Sequence, residues 1–395
     1  KSIIEDMMNE GWQEFHKWGE RQLFQLKEQN RLRTLTPKSE FESQIDLTHN
    51  DYLGLRDNIQ FREDVQTICK SLPPGSGASR LLGGEHHIFK QLEQQFAEFK
   101  KAPSSLFFTG GYSANEAVIS ILRSSDCTFF SDKLNHASMI DGIHLCRMPK
   151  EKKLVFQHND LEHLEVLLSG SKTKWNVILI ESIYSMDGDR APLQEITDLA
   201  NRYRGIIILD EAHSLGVRGH NGAGLIEEED IAHDRIISIN PCGKALASQG
   251  ALVACPEWFR QLLINKGRSF IYTTGPSPWM AASVLVAIDR VKHAQEERRY
   301  LSKISNQLRK TLANLGINFG TSNSHIIPII LSDEATALRY SNHLAKCGIQ
   351  ASAIRPPTVN INQCRVRLSL NANLGQNEID AIQTAIKTIH MKDLR

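Results

Sequence analysis

The sequence lacks most of the features that assign a chain to a membrane, a nucleic acid or a metal. No apolar run approaches the ~20 residues needed to cross a bilayer, so no membrane segment is expected. Charge is nearly balanced, with 46 Lys and Arg against 45 Asp and Glu and a formal net charge of +1. That balance argues against a nucleic-acid or anionic-membrane partner. The short basic cluster of Arg147, Lys150, Lys152 and Lys153 reads as a solvated loop. Seven cysteines form no C-x-x-C pair and no zinc-ligand spacing, so no metal site is expected. Reduced thiols, and with them a cytoplasmic location, fit this usage. The first residues, Lys1-Ser-Ile-Ile-Glu-Asp, are charged too early for a signal peptide. A start at Lys1 and not Met suggests a piece of a longer or processed chain. Internal repeats and low-complexity segments are missing.

What is present is a large apolar fraction, 41% of 395 residues. At ~150 residues per domain, that length suggests two or three domains. Residues 1–45 read as a helical arm, with Trp12, Phe15, Trp18 and Leu23 at roughly helical spacing. Such an arm is expected to lie on a neighbouring element or a partner subunit. Residues 46–283 alternate helical stretches with short apolar runs at Ser105, Thr128, Val177, Ile206, Ile236 and Gly250. Runs without polar alternation suit strands buried on both faces of a mostly parallel sheet. The expected class is α/β, with helices on both sides of that sheet. Residues 284–395 form a smaller unit. A long helical region starts near Pro278 and runs past Arg298. Beyond it, strands are expected at Ile326 and Arg365, and helices at about 334–346 and 376–391, giving an α+β domain.

The chemistry is concentrated in the larger unit. Lys244 follows an apolar run inside a small-residue turn, Pro241-Cys-Gly-Lys244-Ala. Upstream, Ile206-Ile-Ile-Leu-Asp210-Glu-Ala-His213 ends a strand pattern on a carboxylate, with a histidine three residues later. An amine, a strand-end carboxylate and a nearby histidine are what a pyridoxal phosphate (PLP) site requires. Asp210 suits the pyridinium nitrogen, although an aspartate there also serves as a helix N-cap. Phe108-Thr-Gly-Gly111-Tyr112 follows a strand and opens a helix, so its backbone N–H groups suit a phosphate. His136 has the flat ring needed to stack on a pyridine, although a lone histidine is more often structural. Ser185 ends the Val177 strand segment. Arg365 and Arg367 alternate on one strand face, and a guanidinium grips a carboxylate through two bonds. Arg355, in Arg355-Pro-Pro-Thr, belongs to the same smaller unit.

In order and spacing these stretches resemble the α-oxoamine synthases, PLP enzymes of fold type I, from about residue 46 to 372. The resembling segments are Asn50-Asp-Tyr-Leu-Gly-Leu, Gly75-Ser-Gly-Ala-Ser-Arg80, Leu134-Asn-His-Ala-Ser, Tyr184-Ser-Met-Asp-Gly-Asp, Asp210-Glu-Ala-His-Ser-Leu-Gly, Gly243-Lys-Ala-Leu and Tyr272-Thr-Thr-Gly-Pro. The resemblance implies a condensation of an amino acid with an acyl thioester and loss of CO2. Gly75–Arg80 and Ala353-Ile-Arg355-Pro-Pro-Thr-Val resemble the branch that joins L-alanine to a pimeloyl thioester, carried on coenzyme A or acyl carrier protein. It further implies that Lys244 holds PLP and moves protons, Asp210 pairs with the ring nitrogen, and His136 stacks. His213 and Ser185 would meet the ring hydroxyl side. Gly111 and Tyr112 would hold the phosphate, with Thr273 and Thr274 from the other subunit of a homodimer. Asn50 and Arg367 would hold the amino-acid carboxylate, and Arg31 or Arg33 the acyl carboxylate. Asp210–Gly216 and Asn221-Gly-Ala-Gly-Leu also resemble α-aminoketone autoinducer synthases, which use a fatty acyl thioester. A catalytically silent binding protein on the same fold is the alternative of a different class.

Two positions depart from the family pattern. Pro241 stands where a Thr or Ser usually contacts the phosphate, and Ala247 replaces a usual glycine. Proline offers neither hydroxyl nor N–H. Pro241→Thr is therefore expected to tighten PLP binding in a spectroscopic titration; an unchanged Kd removes the idea.

Overall fold

The computed structural model describes residues 2–35 and 45–393. Twelve strands occur among them. In chain order they are β1 (Ile45–Asp46), β2 (Ser104–Phe108), β3 (Cys127–Asp132), β4 (Lys153–Phe156), β5 (Trp175–Glu181) and β6 (Gly205–Asp210). There follow β7 (Ile236–Pro241), β8 (Ala251–Cys255), β9 (Ile326–Ile330), β10 (Ile349–Gln350), β11 (Ser352–Ile354) and β12 (Arg365–Ser369). The apolar runs thus form strands where their composition places them.

Seven strands make the central sheet, in the order β2-β8-β7-β6-β5-β3-β4. All neighbours are parallel except β8, which runs antiparallel to both β2 and β7. Side chains alternate across a strand, so each central strand feeds two cores. Val177, Leu179 and Ile208 enter one core with the helix Gly111–Ser120. Ile178, Ile180, Ile207 and Leu209 enter another, with the helix Leu193–Arg202. Two buried faces explain why these strands carry no polar alternation.

A second sheet, β11-β12-β9, is antiparallel and carries the helices Glu334–Lys346 and Gln376–Asp393. β1 pairs in parallel with β10, tying the chain before the central sheet to this smaller unit. The helical region after Pro278 is two helices, Pro278–His293 and Gln295–Asn314, broken at Ala294. Its start is well marked: Pro278 sits in the first turn and the Ser277 hydroxyl accepts from Trp279 N–H. The basic cluster near residue 150 is a short turn that leads into β4 at the sheet edge. The arm is a helix, Ser2–Glu28, with Trp12, Phe15, Trp18 and Leu23 exposed. No described helix is long and apolar enough to cross a membrane.

Ala247, after the Lys244 turn, has φ of 46°. A Cβ in that left-handed region costs roughly 1–2 kcal/mol, and glycine avoids the cost. Ala247→Gly is expected to stabilise the fold by about 0.5–1 kcal/mol in urea unfolding. A less stable variant would show that the turn is relaxed with alanine.

Candidate active site

Parallel strands end on one edge of a sheet, and ligands collect beyond their carboxyl ends. Here Asp132, Glu181, Asp210 and Pro241 are the last residues of four neighbouring parallel strands. The segments that follow them enclose a cavity of about 910 Å³. Lys244, Asp210, His213, His136, Gly111, Tyr112, Ser185, Asn50 and Arg367 all line it. Residues up to 317 positions apart in sequence therefore share one space.

Asp210 is buried and both its oxygens are supplied. Oδ1 accepts from Ala212 N–H at 2.9 Å, and Oδ2 accepts from the Asn115 amide at 2.8 Å. Asn115 also donates to Ser138 Oγ at 3.0 Å. Ser138 Oγ in turn meets Nδ1 of His136 at 2.7 Å, and His136 caps the helix Ala137–Leu145. One amide thus ties the carboxylate to the segment that carries the histidine. Sequence reasoning missed Asn115, although its spacing held the signal: four residues after Gly111, it lies one helical turn inside the same helix.

The helix Gly111–Ser120 opens onto the cavity, and no side chain caps its first turn. Its N–H groups are those that an anion would use. A Cβ on Gly111 would lie 2.7 Å from Cγ of Pro241, so glycine is needed for this close approach. The proline ring at the end of β7 therefore lies directly against the anion-binding turn. The Tyr112 hydroxyl donates to Asp141.

Lys244 is half-buried. Loss of water pulls its amine below the usual lysine range, against the opposing pull of Asp210 and Glu181. Glu181, opposite Asp210 in the parallel register, is fully buried. Burial first, then the Asp210 charge, raise its carboxyl well above the usual range. His213 is held neutral by burial, reinforced by Lys244 and Arg367.

Arg367 comes from β12. Its Nε donates to the Ser185 carbonyl at 2.7 Å and its Nη1 to Asn50 Oδ1 at 3.0 Å. Nη2 is buried and has no hydrogen-bond partner among the described residues. A buried guanidinium donor is costly to leave unpaired, and a carboxylate at the cavity wall would satisfy it. Arg365 is instead consumed by the Met186 carbonyl and Asp187.

Five expected site residues do not line the cavity: Arg355, Thr273, Thr274, Arg31 and Arg33. Arg355 donates to the Asn30 carbonyl, and the neighbouring Pro357 and Thr358 line the wall in its place. Thr273 and Thr274 lie between the helices Arg268–Ile271 and Pro278–His293, away from this chain's cavity. Arg31 is paired with Glu334 at 2.7 Å. Arg33 reaches Thr358 Oγ1 at 3.2 Å and so touches the cavity rim.

The model of the family described as "Aminotransferase class I and II" matches residues 42–386. The chain belongs to that family. A protein of Halalkalibacterium halodurans, provisionally named 8-amino-7-oxononanoate synthase, is 37% identical over 371 residues, covering 91% of this chain and 93% of the relative. A solved 8-amino-7-oxononanoate synthase from Francisella tularensis is 29% identical with a TM-score of 0.76, covering 88% and 97% of the two chains. A serine palmitoyltransferase variant from S. paucimobilis, solved with PLP and myriocin, is 25% identical with a TM-score of 0.82, covering 88% of each chain. These class I and II relatives place the chain among the α-oxoamine synthases, on the PLP-dependent fold type I.

One charged clamp supports the cavity from behind. His158 bonds Asp132 at 2.9 Å through Nδ1 and Asp189 at 2.8 Å through Nε2. Two carboxylate acceptors require both ring nitrogens to donate, which is the imidazolium. Burial lowers the pKa, but the two carboxylate bonds outweigh it and push it up to about 10. The clamp joins the end of β3, before Asn135 and His136, to the loop after Ser185. A folded pKa above the unfolded value, ~6.5, stabilises the fold fully below that pH and is lost as pH rises through about 10. Compared with His158→Gln, the wild type is expected to have its largest Tm advantage near pH 6. The gap should close toward pH 10; a gap constant across that range refutes the clamp.

Proposed function

We propose that this α-oxoamine synthase joins L-alanine to a pimeloyl thioester, releasing the thiol and CO2 and yielding 8-amino-7-oxononanoate, a step of biotin biosynthesis. The observation that carries the reading is the buried, unpaired Nη2 of Arg367 in the same cavity as Lys244 and Asp210. It supplies a carboxylate anchor beside an amine of lowered pKa.

The donor set fits PLP. Lys244 would hold its aldehyde carbon, Asp210 its ring nitrogen and the first turn at Gly111 and Tyr112 its phosphate. His136 would cover one ring face, with His213 and Ser185 on the hydroxyl side. When bound, PLP supplies an electron sink for the charge left at the amino acid's α-carbon. The rest is done by the chain's own groups. Asp210, with both oxygens fixed by donors, keeps a proton on the nitrogen opposite it. Arg367 and Asn50 grip the alanine carboxylate and fix the orientation of the Cα–H bond. Lys244 Nζ, free of a proton nearer neutral pH than an exposed lysine, takes that hydrogen as general base. The α-carbon then bonds to the acyl carbon, the thiolate leaves, and loss of CO2 is followed by proton return at the same carbon.

At the rim, Arg33, which reaches Thr358, would meet the far carboxylate of a pimeloyl chain; the pairing of Arg31 with Glu334 supports Arg33 over Arg31. Thr273 and Thr274 lie off this chain's cavity, which supports a homodimer in which each subunit completes the other's phosphate site. The thioester carrier is coenzyme A or acyl carrier protein, and the enzyme is cytoplasmic.

The test is thiol release from pimeloyl-CoA by the PLP-loaded protein, with L-alanine compared with glycine and serine. Release with alanine above the others is expected. Lys244→Ala should lower it by about 10²–10⁴-fold, the usual worth of a general base. No release with pimeloyl-CoA, but release with longer fatty acyl thioesters, would replace the acyl assignment. Substantial activity in Lys244→Ala would remove Lys244 as the base.

A further inference from the structure

The Asn221-Gly-Ala-Gly-Leu stretch has no part in the chemistry above, and neither does Glu211, which directly follows Asp210. The structure brings the two together. Glu211 is completely buried but does not line the cavity. Its Oε1 accepts from Leu225 N–H at 2.6 Å, and Ser214 Oγ lies 3.2 Å from the same atom. Its Oε2 accepts from Nζ of Lys100, the last residue of the helix His87–Lys100. The same buried ammonium donates to the Ala223 carbonyl. Gly224, between those two contacts, has φ of 106°, and a Cβ there would lie 2.2 Å from Oε1. The glycine lets the stretch close on the carboxylate.

Burying both charges is costly, and a well-packed apolar pair of the same volume would join helix to turn as well or better. Stability alone therefore does not account for the pair. What an apolar pair cannot do is set direction. A carboxylate held between a backbone N–H and an ammonium must meet both at hydrogen-bond distance. The turn that it anchors runs from Asp210 to Gly216. Backbone bonds tie its ends, from Glu211 N–H to the Ile239 carbonyl at 2.8 Å and from Gly216 N–H to the Gly222 carbonyl at 2.7 Å. The peptide unit between Glu211 and Ala212 bonds within the turn. Its carbonyl accepts from Leu215 N–H at 3.0 Å, and its N–H is one of the two donors to Asp210, at 2.9 Å. The Cα of Glu211 is one end of that unit, so the anchored side chain fixes where the Ala212 N–H points.

We propose that Lys100 and Glu211 are positioning residues for the PLP site. Their pair, seated in the Asn221–Leu225 stretch, anchors the turn so that the Ala212 N–H stays on Asp210. Lys100 reaches this position from the helix that precedes β2, so the carboxylate at the end of β6 is braced from an element that never touches the cavity. The consequence for PLP affinity rests on the reading of Asp210 as the partner of the ring nitrogen; the anchoring of the turn does not.

The test uses the full-length protein and two readouts. Amide hydrogen exchange without PLP reads the turn, and a visible-absorption titration with PLP reads the site. In the wild type, residues 210–216 are expected to exchange as slowly as β6. Exchange there at the rate of an exposed loop overturns the proposal without any variant. Lys100→Met with Glu211→Gln removes both charges and leaves neither unpaired, so the thermal midpoint should stay near that of the wild type. In that folded double variant, exchange over 210–216 should quicken and the PLP Kd rise, each by about 10–100-fold, the worth of one hydrogen bond to a charged group. Gly224→Ala touches neither charge but pushes on Oε1; it should act in the same direction, and it supplies the reading if the double variant does not fold. Unchanged exchange over 210–216 in a folded variant overturns the proposal. Faster exchange with an unchanged Kd would uphold the anchor and remove Asp210 as the ring-nitrogen partner, so the two failures are distinct.

Discussion

A carboxylate buried at the end of a strand is tolerable only if donors surround it, and Asp210 sets that condition for the whole site. One donor, Ala212 N–H, comes from the turn after β6. The other, the Asn115 amide, comes from a helix on a different strand connection. For Asn115 to reach, the helix Gly111–Ser120 must lie close against the end of β7, and the missing side chain at Gly111 allows this. The same requirement aims the first turn of that helix into the cavity. Satisfying one buried charge therefore also builds an anion site, and through Ser138 it sets the position of His136.

The cavity divides into two electrostatic ends. At the strand ends, Asp210 is held by the Asn115 amide and Ala212 N–H, and its charge favours the protonated Lys244 amine that burial opposes. At the β12 side, Arg367 is only partly satisfied, by one carbonyl and one amide oxygen. β12 belongs to the smaller sheet and Ser185 to the loop that follows β5 of the larger one, so Arg367 links the two units. Its bond to the Ser185 carbonyl makes the shape of the cavity depend on how those sheets meet. Any molecule that completes Arg367 strengthens the junction it sits in.

Much of this was legible because local physics and final structure agree. Strands buried on both faces must be apolar throughout, and their ends must carry the polar groups, so Asp210 and Lys244 stand out. What was not legible depends on distant partners. Helix boundaries near Pro278 could be read from capping, but the break at Ala294 could not, because no proline or glycine marks it. β4 is short, lies at the edge and begins with a lysine, so composition hid it. The antiparallel direction of β8 is a property of connectivity, not of residue content. Arg355 and Arg367 look alike in sequence, yet one bonds a backbone carbonyl of the arm and the other faces the cavity. His158 has an ordinary local sequence; its charge comes from Asp132 and Asp189, 26 and 31 residues away.

Pro241 shows how a departure from a family pattern can be local. Its ring fills the space beside Gly111 that a Cβ would otherwise occupy, so it preserves the close approach of helix and strand end while removing a hydroxyl. Close approach and phosphate contact are separable properties of that position. The packing that Asp210 and Asn115 need survives the substitution, because it requires volume. Only a direct hydroxyl donor is lost, and the uncapped N–H groups of the helix remain for an anion. The physical consequence falls on the strength of anion binding, not on the assembly of the pocket.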